Sequence, residues 1–318
     1  MTGRQRLSGG PLVRRLGQPS AVELLADPDR PRAWTLLVGS TPQSYVDLDD
    51  PLHLDFEYMQ RIGHLLDLAG PAGTALRVLH LGGGALSLAR YVAATRPGSV
   101  QLAVDDDADV VGLVRERLPL RQRGTRGGPR GVALPSGTRG GLPGVAPPSS
   151  SNAVPGRIRI RIGDARAVLE RLPDGGYDVV IADLFAGPRT PAHVTSAEFV
   201  EQARRVLRPG GMLTANIGDG PPLAHTRSRV ATARQVFRDA CLIADAAVLR
   251  GRRFGNLVLA AADADLPVAD LVRLVAADPF PARVVHGAEL DKFVSGARPI
   301  TDARPQLSPV PPPGVFAR

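Results

Sequence analysis

The sequence between residues 77 and 240 alternates short apolar runs with helix-like segments, and this alternation constrains the fold more than any other feature. The first apolar run, RVLHL, leads into three consecutive glycines at positions 82–84 and then into a helical pattern. A helix-like segment also follows each of the apolar runs VQLAV, RIRIRI, DVVIAD and GMLTANI. Such an alternation predicts a parallel sheet with helices on both faces.

The last two apolar runs narrow the choice of folds further. CLIADAAVL and FGNLVLAAA are separated by only four residues, RGRR, which leaves no room for a crossover helix, so we expect an antiparallel hairpin. A parallel sheet closed by such a hairpin is typical of the class I S-adenosylmethionine (SAM) methyltransferase-like fold. The sequence therefore predicts an α/β fold with a doubly wound, mostly parallel seven-stranded sheet and a small N-terminal β-hairpin region.

The remaining segments differ in composition from this core. Residues 1–30 are rich in Arg, Gly and Pro and are predicted to be disordered, and residues 31–55 are predicted to form the small N-terminal β region. Residues 56–280 would form the SAM-methyltransferase-like Rossmann domain, and residues 281–318 a C-terminal extension with a loose tail. Residues 121–156 are rich in Gly, Pro, Ser and Arg without apolar periodicity, so they are predicted to be a disordered insertion.

The basic charge of the chain is concentrated in one place. The formal net charge is +8, and six arginines but no Asp or Glu lie between residues 121 and 157. We interpret this stretch as a solvated spacer, with a weak electrostatic tether for polyanions as the alternative. A nucleic-acid partner is therefore not expected.

Several classes of protein and site are not expected from the composition. No apolar run approaches the roughly 20 residues that span a bilayer, and the first residues lack a signal-peptide pattern, so we expect a cytoplasmic protein without a membrane partner. Cys241 is the only cysteine, which excludes an internal disulfide and a cysteine-rich zinc site. The six histidines show no metal-ligand spacing, so no metal is predicted.

The glycines after the first strand indicate a ligand that the backbone approaches closely. They fit a dinucleotide fingerprint only in part, because Gly82 and Gly84 match its first two positions while Ser87 stands at the third. A phosphate-binding P-loop is excluded because no Gly-Lys-Ser/Thr follows.

Two acidic residues follow the next strands, where ligands of open α/β sheets bind. Asp105 lies 23 residues beyond Gly82 and could accept hydrogen bonds from both ribose hydroxyls, although an acidic helix N-terminus is the alternative explanation. Asp164 could accept a hydrogen bond from an adenine amino group, or it could simply cap the helix that begins after it.

A third carboxylate ends the fourth strand. Asp183 closes an apolar run, where a carboxylate is unfavourable unless it has a role, and it could accept a proton from an attacking amine or orient it. His193 and Arg189 on the following loop are candidate helpers. His80, within the first strand, is interpreted as a core histidine with a hydrogen-bond partner.

Five motifs in this order, HLGGGALSL, VDDD, GDA, YDVVIADLFAG and LRPGG, resemble the spermidine synthase (polyamine aminopropyltransferase) family over residues 33–262. The resemblance implies decarboxylated SAM, or SAM itself, as the co-substrate, and it suggests a homodimer. It implies a catalytic role for Asp183 and acceptor contacts for Tyr58 and Gln60. The positions that match the family's donor site are Gln43, Gly82, Gly83, Gly84, Asp105, Asp164 and Ala165.

The acceptor half departs from the family pattern. Ala85 and Ala186 stand where the family has acids, Met59 lies inside the Tyr-His/Gln-Glu triplet, and LRGRRFGN replaces Pro-Thr-Tyr-Pro. We therefore predict aminopropyl transfer from the sulfonium nucleoside to a small-molecule amine. A SAM-dependent methyltransferase and a catalytically retired nucleoside-binding or interaction module are the alternatives.

Overall fold

The structure is a computed structural model that describes residues 21–39, 41–120 and 156–312. Its strands are β1 (Val22–Ala26), β2 (Ala33–Val38), β3 (Thr41–Asp47), β4 (Arg77–Leu81), β5 (Val100–Asp105), β6 (Arg157–Ile162), β7 (Tyr177–Ala182), β8 (Leu207–Asp219), β9 (Asp239–Asp245), β10 (Gly255–Ala262) and β11 (Ala282–His286). Its α-helices are α1 (Glu57–Leu68), α2 (Ser87–Thr95), α3 (Ala108–Arg117), α4 (Ala165–Leu169), α5 (Ala197–Val206), α6 (Ala224–Val236), α7 (Ala246–Leu249), α8 (Val268–Ala276) and α9 (Gly287–Val294).

The large sheet has the strand order β11-β9-β10-β8-β7-β4-β5-β6, with parallel pairing from β8 through β6. β10 pairs antiparallel with both β8 and β9, which confirms the predicted hairpin, although α7 fills part of the connection. The predicted α/β class, doubly wound and mostly parallel, is confirmed. The described part of the sheet has eight strands, whereas the sequence predicted seven, because β11 adds to β9 at the edge.

Both ends of the chain hold more structure than predicted. β1 lies within the segment predicted to be disordered and forms a three-stranded antiparallel sheet with β2 and β3, since Val22 and Leu24 pack against a buried cluster. Residues 282–294 form β11 and α9 within the predicted C-terminal extension, for which no elements were predicted, and Ile300 is buried beyond them. Residues 1–20 and 121–155, predicted to be disordered, lie outside the described residues.

Alternate residues of the parallel strands point into two apolar layers, one on each face of the sheet. Both faces are buried, so the sequences of these strands are continuous apolar runs. Val78 and Ile181 face the layer covered by α1, α2 and α8. Leu79 and Val180 face the opposite layer, which is covered by α4, α5, α6 and α9. A third cluster joins the N-terminal sheet to α2 and α3, so this small sheet is fixed beside the carboxyl ends of β4 and β5.

Several helices begin with the caps that their sequences indicate. The Ser196 hydroxyl accepts a hydrogen bond from the Phe199 amide at the start of α5, as predicted. The Asp107 carboxylate accepts from the amides of Asp109 and Val110 at the start of α3. A search of the described ranges for a helix long and apolar enough to cross a membrane finds none.

A buried arginine closes the end of α1. Arg96 is 2% exposed, and its guanidinium donates hydrogen bonds only to backbone carbonyls. The acceptors are the carbonyls of Leu66, Asp67, Gly70, Pro71 and Thr74. The last carbonyls of a helix have no partner within it, and the buried Arg96 side chain supplies donors to them and to the turn that follows.

We expect Arg96→Met to lower the free energy of unfolding by about 2 kcal/mol, because the carbonyls at the end of α1 and in the following turn lose a charged donor while the apolar stem is kept. Urea unfolding measures the change. Arg273→Met is the control, since the Arg273 side chain is 72% exposed and the substitution should change the free energy by less than about 0.5 kcal/mol. Equal effects in the two variants would mean that the carbonyls at the end of α1 do not depend on Arg96.

Candidate active site

A cavity of about 720 Å³ opens at the carboxyl ends of the parallel strands. Strand order reverses between β4 and β7, because the chain continues outward to β5 and β6 on one side and to β8 on the other. Ligands of doubly wound sheets bind at such a reversal, and the volume is in the range of small-molecule pockets. The predicted residues that line the cavity are Gln43, Tyr58, Gly82, Gly83, Gly84, Asp105, Asp164, Ala165 and Asp183.

Gly82 is required by the closeness of two backbones. Its φ is +91°, and a Cβ placed on it would lie 2.0 Å from the Asp183 carbonyl oxygen. No side chain fits there without moving β4 or β7. The glycine loop therefore lies directly against the strand end that carries Asp183.

Asp105 binds the glycine loop. Its Oδ2 accepts hydrogen bonds from the amides of Gly83 at 2.9 Å and Gly84 at 3.1 Å, and its Oδ1 accepts from the Asp107 amide at 3.0 Å. Burial raises the pKa of the Asp105 carboxyl, although these three amides act to lower it. Its ribose contact stays a prediction, and the carboxylate has a second task, holding the loop in place.

Asp164 caps α4, as the alternative reading of the sequence proposed. Its Oδ1 accepts a hydrogen bond from the Ala167 amide at 2.8 Å, and its Oδ2 lies 2.7 Å from His193 Nε2. Burial acts to raise the pKa of this carboxyl, but the bonds from Ala167 and His193 outweigh it and lower the pKa. His193 thus lies at the cavity wall, whereas Arg189 is not among the lining residues. The adenine contact stays a prediction.

Asp183 is held on both of its oxygens. The Tyr58 hydroxyl donates to Oδ2 at 3.0 Å, and Asn216 Nδ2 donates to Oδ1 at 2.9 Å. Burial raises the pKa of Asp183, and the charge of Asp105 adds to the increase, while the two hydrogen bonds oppose it. Burial, together with the charge of Asp183, raises the pKa of Tyr58 well above its ordinary value. A carboxyl with a raised pKa at the wall of a cavity is suited to exchanging a proton with a ligand.

Sequence reasoning missed Asn216. This residue lies in β8 between two apolar neighbours, is 4% exposed, and lines the cavity next to Asp183. Its Oδ1 has no hydrogen-bond partner among the described residues. The signal was an amide inside the apolar run GMLTANI, close to the carboxyl end of a strand.

The acceptor contact of Gln60 stays a prediction. Gln60 is absent from the cavity wall, and its Nε2 donates to the Leu54 carbonyl at 2.7 Å. Ala85 is fully buried in the third cluster. His80 bonds Gln101 at 2.8 Å, as expected of a core histidine, although it also borders the cavity.

No family model matches the chain. The solved structure of a probable spermidine synthase from Corynebacterium glutamicum ATCC 13032 is 31% identical, covers 92% of this chain and 96% of that one, and superposes with a TM-score of 0.74. The chain belongs to the spermidine synthase family.

Two further comparisons are narrower. The spermidine synthase of Thermotoga maritima is 13% identical over 89% of this chain and 87% of that one, with a TM-score of 0.54, which is a likeness of fold. A polyamine aminopropyltransferase of Vibrio vulnificus is 35% identical over 81 residues, 25% of this chain and 26% of that enzyme. That alignment therefore spans about a quarter of the curated relative. Within the described ranges no group of three or more His, Cys, Asp or Glu could hold a metal ion.

We expect Gly82→Ala to lower the free energy of unfolding by about 2 kcal/mol more than Gly175→Ala does, since a packed backbone cannot give way cheaply. Gly175 also has a positive φ, +61°, but open space around its Cβ position, so the control carries only the conformational cost of about 1–2 kcal/mol. Urea unfolding of both variants measures the difference. Similar losses would mean that β4 and β7 can separate at this point.

We expect Asp183→Asn to be more stable than the wild type at pH 7–8. The pKa of Asp183 is raised above its ordinary value of 3.8, so its contribution to stability is complete below that pH and is lost as the pH rises through the folded-state pKa. The amide carries no charge to bury, and the advantage of the variant should vanish at low pH. Thermal unfolding from pH 3 to pH 8 tests this, and an advantage that grew on acidification would contradict the raised pKa.

Proposed function

We propose that the protein transfers the aminopropyl group of decarboxylated SAM to an amine. The observation that carries this proposal is Asp183, held between Tyr58 and Asn216 in the middle of the cavity. The strand order puts the loops after β4, β5 and β6 on one side of Asp183, and β8 with β10 on the other. Membership of the spermidine synthase family supports the same reaction class.

The side formed by β4, β5 and β6 suits the nucleoside. We propose that the backbone of Gly82–Gly84 contacts the donor, with Asp105 at the ribose and Asp164 and Ala165 at the adenine. Gln43 lines the same wall from the N-terminal sheet. The fit rests on bare backbone at the glycine loop and on carboxylates that can accept from hydroxyl and amino groups.

The donor supplies a carbon activated by a positively charged sulfur, which leaves as a neutral thioether. The chain has to position the amine and to remove a proton from it. A free ammonium has a pKa of about 10, and entry into a buried cavity lowers this pKa. Burial has the opposite effect on Asp183, whose pKa it raises. The two values approach each other, so proton transfer to Asp183 is feasible. Tyr58 and Asn216 fix the direction of the accepting carboxylate.

Methyl transfer from SAM is the second candidate, favoured by Ala85. At this position the resemblance implies an acid that would hold the donor's ammonium, but the alanine is fully buried and away from the cavity wall. Without that acid, the carboxylate of ordinary SAM meets less repulsion. This alternative uses the same nucleoside-binding residues and the same carboxylate.

Titration calorimetry with decarboxylated SAM, SAM and methylthioadenosine, combined with an assay for methylthioadenosine release, separates these functions. We expect decarboxylated SAM to bind at least about tenfold more tightly than SAM and to be consumed when an amine is present. Asp183→Asn should keep the affinity for methylthioadenosine but lose about 10²–10⁴-fold in turnover, because it lacks the proton acceptor.

Other outcomes contradict the proposal in distinct ways. Preference for SAM with methylation of the acceptor would establish the second candidate. Absence of binding to all three nucleosides would indicate the retired interaction module. Unchanged turnover in Asp183→Asn would remove Asp183 from the chemistry.

A further inference from the structure

The two sides of the cavity differ in charge. The acidic residues on the nucleoside side are Asp105, Asp106, Asp107 and Asp164. We call the opposite wall the acceptor side; it is formed by the end of β8, by residues 253–256 at the start of β10, and by residues 56–59 at the start of α1. Besides Asp183 at the centre, its charged lining residues within the described chain are Glu57 and Arg253.

Glu57 is already neutralised. Its Oε2 lies 2.9 Å from Nη2 of Arg61, which is 1% exposed and also donates to the Asn256 carbonyl at 3.4 Å. A buried arginine cannot release its partner without leaving an unpaired charge inside the protein, which costs several kcal/mol. Glu57 therefore does not offer a free carboxylate to a second ammonium.

Arg253 is the opposite case. Its side chain is 49% exposed, and its ion pair is to Asp245 at a long 3.5 Å. Asp245 Oδ1 is shared, because it also accepts from the amides of Ala247 and Val248 at the start of α7. Arg253 Nη1 also donates to the Phe254 carbonyl at a long 3.5 Å. With two long contacts, the guanidinium keeps donors for a ligand, and its geometry suits a carboxylate in particular.

The space between Asp183 and Arg253 is lined by aromatic rings. Phe56, Tyr58, Phe185 and Phe254 all border the cavity, and a Cβ on Gly218 would meet Phe254 at 3.5 Å and Phe185 at 3.6 Å. This wall suits an apolar chain. A second ammonium here would lie near the positive charge of Arg253 and would find no free carboxylate, which is unfavourable.

Building on the proposed function, we propose that the acceptor is an amino-carboxylate. Its amine reaches Asp183, and its carboxylate, at the other end of an apolar chain, binds Arg253. The nitrogen forms a bond to the aminopropyl carbon, the bond from that carbon to sulfur breaks, and methylthioadenosine leaves. The proton that the amine must lose beforehand passes to Asp183, and the carboxylate is unchanged.

The test compares 4-aminobutanoate with 1,4-diaminobutane, which have the same four-carbon chain and differ only at the far end. With decarboxylated SAM as the donor, we expect kcat/KM to be at least about tenfold higher for 4-aminobutanoate, the advantage of one charge-assisted pair. The three- and five-carbon pairs of the same two classes are measured alongside, so that chain length does not decide the outcome.

Substitutions at two neighbouring arginines locate the effect. Arg253→Gln should lower kcat/KM for 4-aminobutanoate about 10- to 100-fold, mainly through KM, and change it less than threefold for 1,4-diaminobutane. Arg253→Glu should reverse the preference. Arg252→Gln is the matched control, because Arg252 is exposed and lies outside the cavity wall, and its kinetics should equal those of the wild type.

The outcomes that overturn this inference differ from those that overturn the proposed function. Turnover that favours diamines at every chain length, or that is insensitive to Arg253→Gln, would refute the amino-carboxylate acceptor while leaving aminopropyl transfer intact. If Arg253→Gln weakened SAM binding without any effect on acceptors, Arg253 would bind the carboxylate of SAM and not one of the acceptor, and the inference would fail. Calorimetric binding of both compounds in the presence of methylthioadenosine decides the preference even if no group is transferred.

Discussion

The contact between Gly82 and the backbone of Asp183 is the constraint on which the site depends. β4 and β7 are adjacent and parallel, the Asp183 amide donates to the Leu81 carbonyl, and the Gly82 amide donates to the Val104 carbonyl. These bonds bring three strand ends together, and the absent side chain at position 82 lets them meet closely. The glycine loop and the buried carboxylate are therefore placed by one rigid sheet, an arrangement that can hold reacting groups in register without a moving part.

The electrostatics of the site follow from that geometry. Asp105 and Asp183 are both desolvated, both have raised pKa values, and the charge of Asp105 adds to the increase at Asp183. A cation between them would favour the ionised form of each carboxyl. A sulfonium nucleoside is such a ligand. Its binding would lower the pKa of Asp183 and leave this carboxylate ionised, so that it could then accept a proton. The hydrogen bonds from Tyr58 and Asn216 keep the carboxylate in one orientation through this change.

The sequence predicted the elements that carry an internal period and missed those fixed by tertiary contact. The parallel strands and the closing hairpin follow from apolar run length and linker length, and both are confirmed. β11 was missed because ARVVH is short and becomes a strand only by pairing with β9. Asn216 was missed because a lone amide in an apolar run shows its role only beside Asp183.

The fold restricts the amino acids around the cavity at some positions and leaves others open. In the glycine loop, a side chain at position 82 would meet the backbone of Asp183, so the sheet itself requires glycine there. At the two positions where the resemblance implies acids, Ala85 packs into an apolar cluster and Ala186 forms a bridge with Arg189, so the fold accepts both without an acid. Arg253 differs from both, because it lines the cavity beside Phe254, while its Asp245 partner also accepts hydrogen bonds from the first amides of α7. The proposed amino-carboxylate would give this guanidinium an anionic partner, which is the kind of ligand that an arginine binds best.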